Sequence, residues 1–469
     1  MGYQQTEPAT APVARHPSGR SVVRFQGDDD LRSGPEEHGR PGPGEAPEQT
    51  RGLTETRPHR PLRVVFFNRS YYPDFGATGQ LLTELCEDLV SRFGYDVTVV
   101  AGMPLSAEQR LRPLHWYTPV RREERNGVKI LRAWGTALPT RQFTGRISNY
   151  LTYFSSAAIA SLRIGRPDVI VSLTDPPIVS LTAITAAKMT GSRFVFLCQD
   201  VFPEVARLLE GFQNKKVEVV LTKIGRLTVR KADGIIALGD TMKRRLIETK
   251  GADAGKIRVI HNWADASAIQ PGSKDNAFSR EHGLVDKFVV MHSGNVGMSQ
   301  EVGALLDVAE HLTDLPDVVI AIVGEGARKV FLQQEVERRK LTNVRFYPYQ
   351  PKARLTDSFA AADVFIVSLK RGLAGYIVPS KLYGVLVAGR PFVAAIEADS
   401  EAAQIAREHD CGIVVEPGDR EGMETAIRRL HGDPVLRADL AAHARSAGLI
   451  YDRARAVEAY QSVFEHVVR

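Results

Sequence analysis

The chain has 469 residues, 43% of them apolar and 25% charged, and a formal net charge of +6. This composition is typical of a soluble globular protein with room for two or three domains, and no apolar run reaches the about 18 residues that a membrane-spanning helix needs. The three cysteines, Cys86, Cys198 and Cys411, lie far apart among apolar residues, which argues against a disulfide framework or a zinc site and predicts reduced thiols in the cytoplasm.

Residues 1–60 are rich in Pro, Gly, Glu and Arg and contain few large apolar side chains. Such a segment buries too little apolar surface to offset the entropy lost on ordering. We therefore predict a disordered N-terminal tail. Its first residues lack the apolar core of a signal peptide, which also predicts that the protein stays in the cytoplasm.

Short apolar strands alternate with helical segments from the end of the tail onwards. This pattern predicts an α/β fold in which residues 61–265 form a Rossmann-like, doubly wound domain with a parallel sheet. The predicted strands of this domain are "LRVVFFN", "DVTVVAG", "GVKILRA", "PDVIVSL", "RFVFLCQ", "DGIIALG" and "KIRVIHN".

The same alternation of apolar strands and helical segments begins again after the linker "HNWADASAIQPG". It predicts a second Rossmann-like domain over residues 266–450. Its predicted strands are "KFVVMHSGNVG", "DVVIAIVGEG", "NVRFYPYQP", "ADVFIVSL", "RPFVAAI" and "CGIVVEPGD". A C-terminal helix is predicted over residues 451–469. Two tandem sheets of this kind leave a cleft at the carboxyl ends of their strands, where open sheets bind ligands.

Two loops of the first domain carry candidate residues. "NRSYYPDFGATGQ" places Gly76, Thr78 and Gly79 before a helix, where the backbone can approach a substrate, although a simple turn explains the same residues. Its spacing is not that of a dinucleotide-binding G-x-G-x-x-G loop, so an oxidoreductase is disfavoured. "CQDVFPE" directs Gln199, Asp200 and also Glu204 towards the cleft, where a carboxylate can orient a sugar hydroxyl or transfer a proton. Asp200 can instead cap the next helix.

Two glycine turns follow strands of the second domain. "SGNVGMS" contains Gly294, Asn295 and Gly297, and its glycines would let a diphosphate approach the backbone amides. "VGEG" contains Gly324 and Glu325, which turn chemistry alone also explains.

The stretch "KRGLAGYIVPSKLYGVLVAGRP" predicts a helix that begins after Pro379, is capped by Ser380 and ends at Gly389. The start of a helix attracts anions, and Lys381 would add a full positive charge there. A solvated first-turn lysine is the equally weighted alternative.

The segment "RQFTGRISNYLTYFSSAAIASLRIGRP" combines arginines with large apolar residues. It suits either a core helix with a basic rim or a helix that rests on a bilayer surface. Outside the predicted tail the sequence has no D-x-D cluster, and it has no H-E-x-x-H motif or Walker loop, so we predict no metal. No basic stripe with interleaved aromatic residues indicates nucleic-acid binding.

These motifs, taken in order, resemble the retaining, nucleotide-sugar-dependent glycosyltransferases of family 4, whose two Rossmann-like domains form the GT-B arrangement. The likeness extends from residue 62 to the end of the chain. It is most similar to the bacterial branch that builds lipid-linked repeats of exopolysaccharide, capsule and O-antigen. The matching segments include "YYPDFGATGQLLTELCEDL", "QDVFPE", "ADGIIALGDTMKRRL", "IRVIHNWAD", "HSGNVG", "IVGEG", "YPYQP" and "VPSKLYGVLVAGRP".

The resemblance implies that the second domain binds the sugar donor, that the first binds the acceptor, and that the last helix crosses back to the first domain. By position, Gly294, Asn295 and Gly297 would line the diphosphate, which Lys381 would neutralise. Tyr349 and Gln350 would frame the base. Gly76 and Gly79 would face the reacting sugar, close to Gln199 or Asp200.

The sequence departs from the family pattern at two pairs of positions. The family's two glutamates, eight residues apart, are replaced by Tyr376 and Gly384, and its Arg and Lys in the first donor loop by Asn295 and Gln300. Lys381, helped by Lys370 or Arg371, would then supply most of the positive charge.

The resulting hypothesis is a cytoplasmic, peripherally membrane-associated hexosyl- or N-acetylhexosaminyl-transferase at the inner face of the plasma membrane. It would move a sugar from a nucleoside diphosphate sugar to a lipid-linked glycan with retention, without a cofactor beyond the nucleotide-sugar co-substrate. A nucleotide-sugar epimerase and a non-catalytic sugar-nucleotide-binding protein remain as alternatives.

Overall fold

The computed structural model describes residues 60–74, 76–104, 114–138, 143–210 and 214–469. Except for its last residue, the predicted N-terminal tail lies outside these ranges. The described chain contains two α/β sheets, which confirms the predicted fold class. We call the part built on each sheet the first lobe and the second lobe.

The first lobe is built on an eight-stranded sheet in the order β3-β4-β2-β1-β5-β6-β7-β8. All neighbouring strands pair in parallel except β3 and β4. The strands are β1 (Arg63–Phe67), β2 (Asp96–Ala101), β3 (Val120–Arg125), β4 (Val128–Ala133), β5 (Val169–Ser172), β6 (Arg193–Leu197), β7 (Gly234–Ala237) and β8 (Ile257–Val259).

The second lobe is built on a six-stranded, fully parallel sheet in the order β11-β10-β9-β12-β13-β14. Each strand predicted from an apolar run is present. The strands are β9 (Phe288–Ser293), β10 (Val318–Val323), β11 (Val344–Tyr347), β12 (Val364–Ser368), β13 (Phe392–Ala395) and β14 (Gly412–Val415).

Helices connect most of the parallel strands. Within the described ranges they are α1 (Ala77–Phe93), α2 (Phe143–Ser161), α3 (Val179–Thr190), α4 (Glu204–Glu210), α5 (Lys215–Lys231), α6 (Asp240–Arg245), α7 (Ala277–Glu281), α8 (Val302–His311), α9 (Lys329–Arg339), α10 (Leu355–Ala360), α11 (Lys381–Val387), α12 (Glu401–Glu408), α13 (Arg420–Gly432), α14 (Pro434–Ile450) and α15 (Arg453–Val468). None of these helices is both long and apolar enough to cross a membrane.

The central strands explain why the sheets are parallel. Four of the five residues of β1 and all six of β10 are buried, because helices cover both faces of each sheet. A continuous apolar run satisfies both faces, whereas an alternating pattern would satisfy only one. The cores of the two lobes therefore follow directly from the apolar runs of the sequence.

The edge hairpin of β3 and β4 was not predicted as a pair. β3 reads "VRREER", and its charged residues are alternately half-buried and exposed at the sheet edge. Asn126 and Gly127, with φ of 46° and 78°, form the turn. An Asn-Gly pair is a strong hairpin signal because both turn residues need positive φ, so the sequence did contain the information.

The C-terminal helix α15 contacts the first lobe. The ring of Phe464 packs edge-on against Phe66 of β1, with centroids 6.0 Å apart. Arg453 at the start of α15 forms two hydrogen bonds with Asp88 of α1, at 2.7 and 2.8 Å. The sequence-based boundaries between domains remain a prediction, since a contact of this kind does not locate them.

Candidate functional site

A cavity of 1550 Å³ opens between the lobes and is lined by loops that follow strands of both sheets. Gly76 follows β1 and Asp200 follows β6 in the first lobe, while Gly294 follows β9 and Glu325 follows β10 in the second. The carboxyl ends of the strands of both lobes therefore meet at one cavity, as expected for open α/β sheets.

Lys381, the first residue of α11, lines the cavity. Its Nζ lies 3.0 Å from Nε2 of His292, which is fully buried at the end of β9. Burial lowers the pKa of Lys381 to about 7. Burial, and after it the charge of Lys381, holds the pKa of His292 well below its usual range, although a backbone hydrogen bond with Asn295 acts the other way. The imidazole is therefore neutral.

The start of α11 differs from the prediction. Ser380 lines the cavity but makes no side-chain capping bond, because its own backbone is already helical, with φ −59° and ψ −24°. The amides of Leu382 and Tyr383 donate to the carbonyls of Pro379 and Ser380. These two amides, which were predicted to be free, are thus hydrogen-bonded within the turn. The charge of Lys381 is therefore the main attraction for an anion.

The two glycine turns of the second lobe pack against each other. Gly324 has φ +140°, and a Cβ at this position would lie 2.0 Å from the carbonyl oxygen of Gly294. Gly294 itself has φ +128° and lies beside the end of the Lys381 side chain. Gly324 is therefore required for packing and does not line the cavity, whereas Gly294 and Asn295 do.

Several amides predicted to hold a diphosphate are already bonded within the protein. The amide of Gly294 donates to Val323 at 2.9 Å, and that of Val296 to Glu325 at 2.8 Å. The amide of Gly297 donates to Oε1 of Gln300 at 3.3 Å, and Gly297 does not line the cavity. Gln300, which stands where the family commonly has Lys, would have to rotate away before an anion reached that amide.

Gln199 and Asp200 line the cavity from the first lobe. Burial, and after it the charge of Asp175, raises the pKa of Asp200 to about 7. No described residue donates a hydrogen bond to the Asp200 carboxylate, so it does not cap α4. Glu204 does not serve the cleft as predicted, because both its oxygens accept from Lys250, at 2.7 and 2.8 Å. Lys250 needs this partner because it is buried.

The loop before α1 places Gly76 and Thr78 at the cavity wall. Gly79 is turned away from it, and a Cβ there would lie 2.8 Å from Oγ of Ser70. The prediction that Gly79 faces the sugar is therefore not supported by its position, while Gly76 has open space around it.

On the second-lobe side, Tyr349 and Gln350 line the cavity together with Glu325. Nε2 of Gln350 donates to the carbonyl of Pro348 at 3.1 Å. Glu325 pairs with Lys329 at 2.6 Å. The ring of Tyr349 is exposed at the cavity wall, and its predicted contact with a base stays a prediction.

Lys370, Arg371 and Tyr376 do not line the cavity, contrary to the prediction. Arg371 is exposed and pairs with Glu416 at 3.1 Å. Tyr376 lies under the guanidinium of Arg245, 5.1 Å from its ring centre. Lys370 and Arg371 therefore add no positive charge beside Lys381 at the cavity wall.

Gly384, which stands at the position of the family's second glutamate, has little room for a side chain. Gly384 lines the cavity, and a Cβ there would lie 2.9 Å from the ring of Phe359. A larger side chain would need Phe359 to move. A different carboxylate, Glu397, holds the preceding loop by accepting from the amides of Gly372 and Ala374, at 2.9 and 3.1 Å.

Three residues that sequence reasoning did not single out join the lobes at the cavity wall: Glu84, Trp263 and Lys352. Oε2 of Glu84 in α1 accepts from the indole of Trp263 at 3.1 Å, and its Oε1 pairs with Lys352 of the second lobe. Trp263 lies in "HNWAD", which was predicted as a linker and belongs to a segment that matches the family, but its indole was assigned no role. Glu84 lies within the family-like segment "YYPDFGATGQLLTELCEDL" and Lys352 directly follows "YPYQP", but no pattern in the sequence pairs the two residues.

In the described ranges, no group of three or more His, Cys, Asp and Glu side chains has the geometry to hold a metal ion. Metal-independent chemistry remains a prediction. The three cysteines are free and buried, as predicted.

Comparison with protein families gives two matches along the chain. Residues 76–263 match a family described as "Glycosyl transferase 4-like domain". Residues 274–447 match one described as "Glycosyl transferases group 1". The segment that joins the lobes, residues 264–273, separates the two matches, and residues of both matched ranges line the cavity.

The chain is similar to the "Putative colanic acid biosynthesis glycosyl transferase WcaI" of Escherichia coli, with 26% identity over 78% of this chain and 92% of the relative. It is similar to the "Probable glycosyltransferase WbjE" of Pseudomonas aeruginosa, with 28% identity over 59% of this chain and 68% of the relative. Among solved structures it resembles Anabaena Alr3699/HepE in complex with UDP and glucose, with a TM-score of 0.65, 16% identity, and coverage of 86% of this chain and 99% of that one. At this identity the last comparison establishes the fold alone.

Proposed function

Because the chain belongs to the family 4 glycosyltransferases of the GT-B fold, we propose that it moves a sugar from a nucleoside diphosphate sugar to a lipid-linked glycan with retention of configuration. The sugar is a hexose or N-acetylhexosamine, and the product belongs to a bacterial surface polysaccharide. The similarity to a relative named for colanic acid biosynthesis supports this class of product.

The observation that carries the proposal is the composition of the cavity wall. Lys381 and the turn at Gly294 lie on the second-lobe side, and Gln199 and Asp200 lie on the first-lobe side of the same cavity. A donor bound with its diphosphate at Lys381 would present its sugar to the first lobe. The solved structure of Anabaena HepE with UDP and glucose supports a nucleoside diphosphate sugar as the donor class.

The charge that develops on the leaving diphosphate is the main electrostatic demand of this reaction. A positioned cation in a site that excludes water stabilises such charge far better than the same cation in solution. Lys381 supplies it without a cofactor or metal. Asp200, with its raised pKa of about 7, orients a sugar hydroxyl or exchanges a proton near neutral pH.

A thermal-shift screen of the full chain against nucleoside diphosphate sugars tests donor binding. A donor at about 100 times its Kd should stabilise the fold by about 2.7 kcal/mol. The donor so identified is then incubated with a lipid-linked glycan, and the anomeric configuration of the product is read by NMR.

Incubation with labelled donor alone separates the alternatives. An epimerase would convert the donor to an equilibrium mixture without an acceptor. Donor binding without turnover across a broad acceptor panel would instead indicate a sugar-nucleotide-binding protein. Either result would contradict the proposed transfer.

A further inference from the structure

We propose that the side chain of Asn262 binds a hydroxyl group of the sugar that the donor transfers. Asn262 lies in "HNWAD", beyond the end of β8, and was not among the predicted site residues. The proposal rests on the proposed function and deepens it, because it names a residue on the first-lobe side that would hold the donor sugar itself.

The side chain of Asn262 is buried and has no hydrogen-bond partner among the described residues. The residue is 3% exposed, and its Oδ1 accepts no hydrogen bond. A carboxamide can donate two hydrogen bonds and accept two, and burying such a group without partners lowers the stability of a fold. A polar ligand that bonded to this side chain would offset that loss.

Asn262 differs in position from the other buried side chains of this kind. Of the described residues whose buried side-chain N or O atoms lack a hydrogen-bond partner, Asn262 is the one that lines the cavity. Asn68 and Asn343 also have an unpartnered Oδ1, yet each donates from Nδ2 to a backbone carbonyl, at 2.6 and 2.8 Å, and neither lines the cavity. Their side chains are used within the fold, whereas that of Asn262 is open to a ligand.

The residues on both sides of Asn262 fix its position between the lobes. The indole of Trp263 donates to Oε2 of Glu84 in α1 at 3.1 Å. Nδ1 of His261 lies 3.2 Å from Oε1 of the buried Glu401 in α12. A group that is already held in place loses little entropy when a ligand binds to it.

The strand order of the first sheet places Asn262 on the same edge as Asp200. β6, β7 and β8 are parallel neighbours, and Asp200, Leu238 and Asn262 follow their carboxyl ends and line the cavity. Adjacent strands lie about 4.8 Å apart, so the ends of β6 and β8 are about 10 Å apart. A sugar presented to the first lobe would therefore have room between Asp200 and Asn262.

The chemistry of an amide favours a hydroxyl group over a diphosphate. A hydroxyl both donates and accepts hydrogen bonds, as the carboxamide of Asn262 does. A diphosphate only accepts and is attracted by charge, which Lys381 supplies on the second-lobe side of the cavity. Asn262 would therefore hold the sugar of the donor, and Lys381 its leaving group.

Calorimetric titration of the full-length protein tests the assignment with UDP-glucose, UDP-N-acetylglucosamine, GDP-mannose and dTDP-rhamnose, each compared with its own nucleoside diphosphate. The nucleotide sugar that binds wild type most tightly is then titrated into Asn262→Leu, in which leucine keeps the branched shape of the side chain but cannot form hydrogen bonds. We expect the Kd of the nucleotide sugar to rise about tenfold and that of the nucleoside diphosphate to stay within about twofold, because only the sugar loses a hydrogen bond.

The melting temperature of the free protein separates a binding role from a structural one. Asn262→Leu should melt at the temperature of wild type or above it, because it removes an unpartnered polar group from a buried position. Asn343→Leu is the matched control, since it breaks the bond to Ala309 outside the cavity. It should lower the melting temperature and leave both Kd values within about twofold. Asn262→Ala repeats the test of the Kd if leucine does not fit.

An unchanged Kd of the nucleotide sugar in the Asn262 variants would overturn the proposal, and a lower melting temperature in addition would assign the residue to the fold. Equal weakening of the nucleotide sugar and its nucleoside diphosphate would place the bound hydroxyl on the ribose and overturn the assignment to the sugar. Equal weakening by Asn262→Leu and Asn343→Leu would also contradict it, because the effect would then not depend on the cavity.

The same titration separates this proposal from the proposed function. If none of the four nucleotide sugars binds wild type, the proposed function fails and this proposal fails with it. If wild type binds a nucleotide sugar and Asn262→Leu binds it equally well, the role of Asn262 fails alone.

Discussion

Nζ of Lys381 donates a hydrogen bond to Nε2 of His292 at 3.0 Å, and this is its only hydrogen bond to a described residue. An ammonium has three donors, so two remain for a ligand in the cavity. The neutral imidazole fixes the position of the ammonium without neutralising it. This arrangement leaves a positive charge with reduced hydration at the cavity wall, where a diphosphate would complete its environment.

Replacement of Lys381 by methionine should lower turnover by about two orders of magnitude, the usual cost of losing one donor to a developing anion. Methionine keeps most of the side-chain volume, so the melting temperature should change little. Arg371→Met is the matched control, because Arg371 pairs with Glu416 outside the cavity. Steady-state kinetics would contradict the assignment if both variants kept full turnover, or if both lost it equally.

Donor affinity should depend on pH through Lys381. Its pKa is about 7 in the free protein, and a bound diphosphate would raise that pKa. Binding therefore takes up a proton above pH 7, so the Kd should be nearly constant at pH 6 and rise by up to about tenfold per pH unit above pH 7. A nucleoside diphosphate sugar suits this titration because its diphosphate stays ionised throughout.

The pH dependence of donor binding has two controls. Lys381→Met should raise the Kd of the donor and make it independent of pH between 6 and 8.5. Asp200→Asn should retain the wild-type slope, although Asp200 titrates in the same range. A slope that disappears in Asp200→Asn and persists in Lys381→Met would assign the titration to Asp200 instead.

Asp200→Asn should also stabilise the fold at alkaline pH. The pKa of Asp200 is raised to about 7 in the folded protein, against about 3.9 in an unfolded chain. The folded state therefore binds this proton more tightly, and wild-type stability falls as pH rises from about 4 to 7. Asparagine carries no charge, so the melting temperature of the variant should exceed that of wild type by about 2 °C or more at pH 8, and by less at pH 5.

Calorimetric melting at the two pH values measures this difference, while transfer activity should fall in the same variant. Stability gained at the cost of activity is common where a functional group is held in an unfavourable environment. A variant less stable than wild type at pH 8 would mean that Asp200 contributes to the structure in its ionised form.

The fold was predictable because its strands are buried on both faces. Runs such as "VVIAIV" in β10 read as strands without knowledge of any partner. β3 was missed because its charged sequence resembles a loop, and only its pairing with β4 makes it a strand. The apolar pattern therefore predicted the central strands and failed at the edge, where the Asn126-Gly127 turn was the local signal for the hairpin.

The candidate site was predictable only to the level of the loop. Parallel topology brings the post-strand loops of Asp200, Gly294 and Lys381 to one cavity, and that follows from strand order. Which way a side chain points depends on partners far away in sequence. Glu204 turns to Lys250, and Arg371 turns to Glu416, and no spacing rule anticipates such pairs.

Glu84 joins the lobes through two partners that can be separated by mutation. Glu84→Leu leaves the buried indole N–H of Trp263 without an acceptor and should cost about 1–3 kcal/mol of the free energy of unfolding. Lys352→Met removes only an exposed partner and should cost about 1 kcal/mol or less. Glu84→Gln, which still accepts from Trp263, should fall between them. Urea unfolding measures all three, and equal losses in Glu84→Leu and Lys352→Met would assign the main contribution to the ion pair.

Two arginines connect α1 to α15, and their different burial predicts different energies. Arg453 is mostly buried and holds Asp88 through two hydrogen bonds at 2.7 and 2.8 Å, whereas Arg92 pairs with the exposed Glu458 at 2.6 Å. Removing one partner of a buried pair leaves the other charge uncompensated. Arg453→Met should therefore lower the free energy of unfolding by about 2–3 kcal/mol, and Arg92→Met by about 1 kcal/mol or less. Urea unfolding of both variants tests this order, and the reverse order would mean that the Asp88 contact is not what anchors the C-terminal helix to the first lobe.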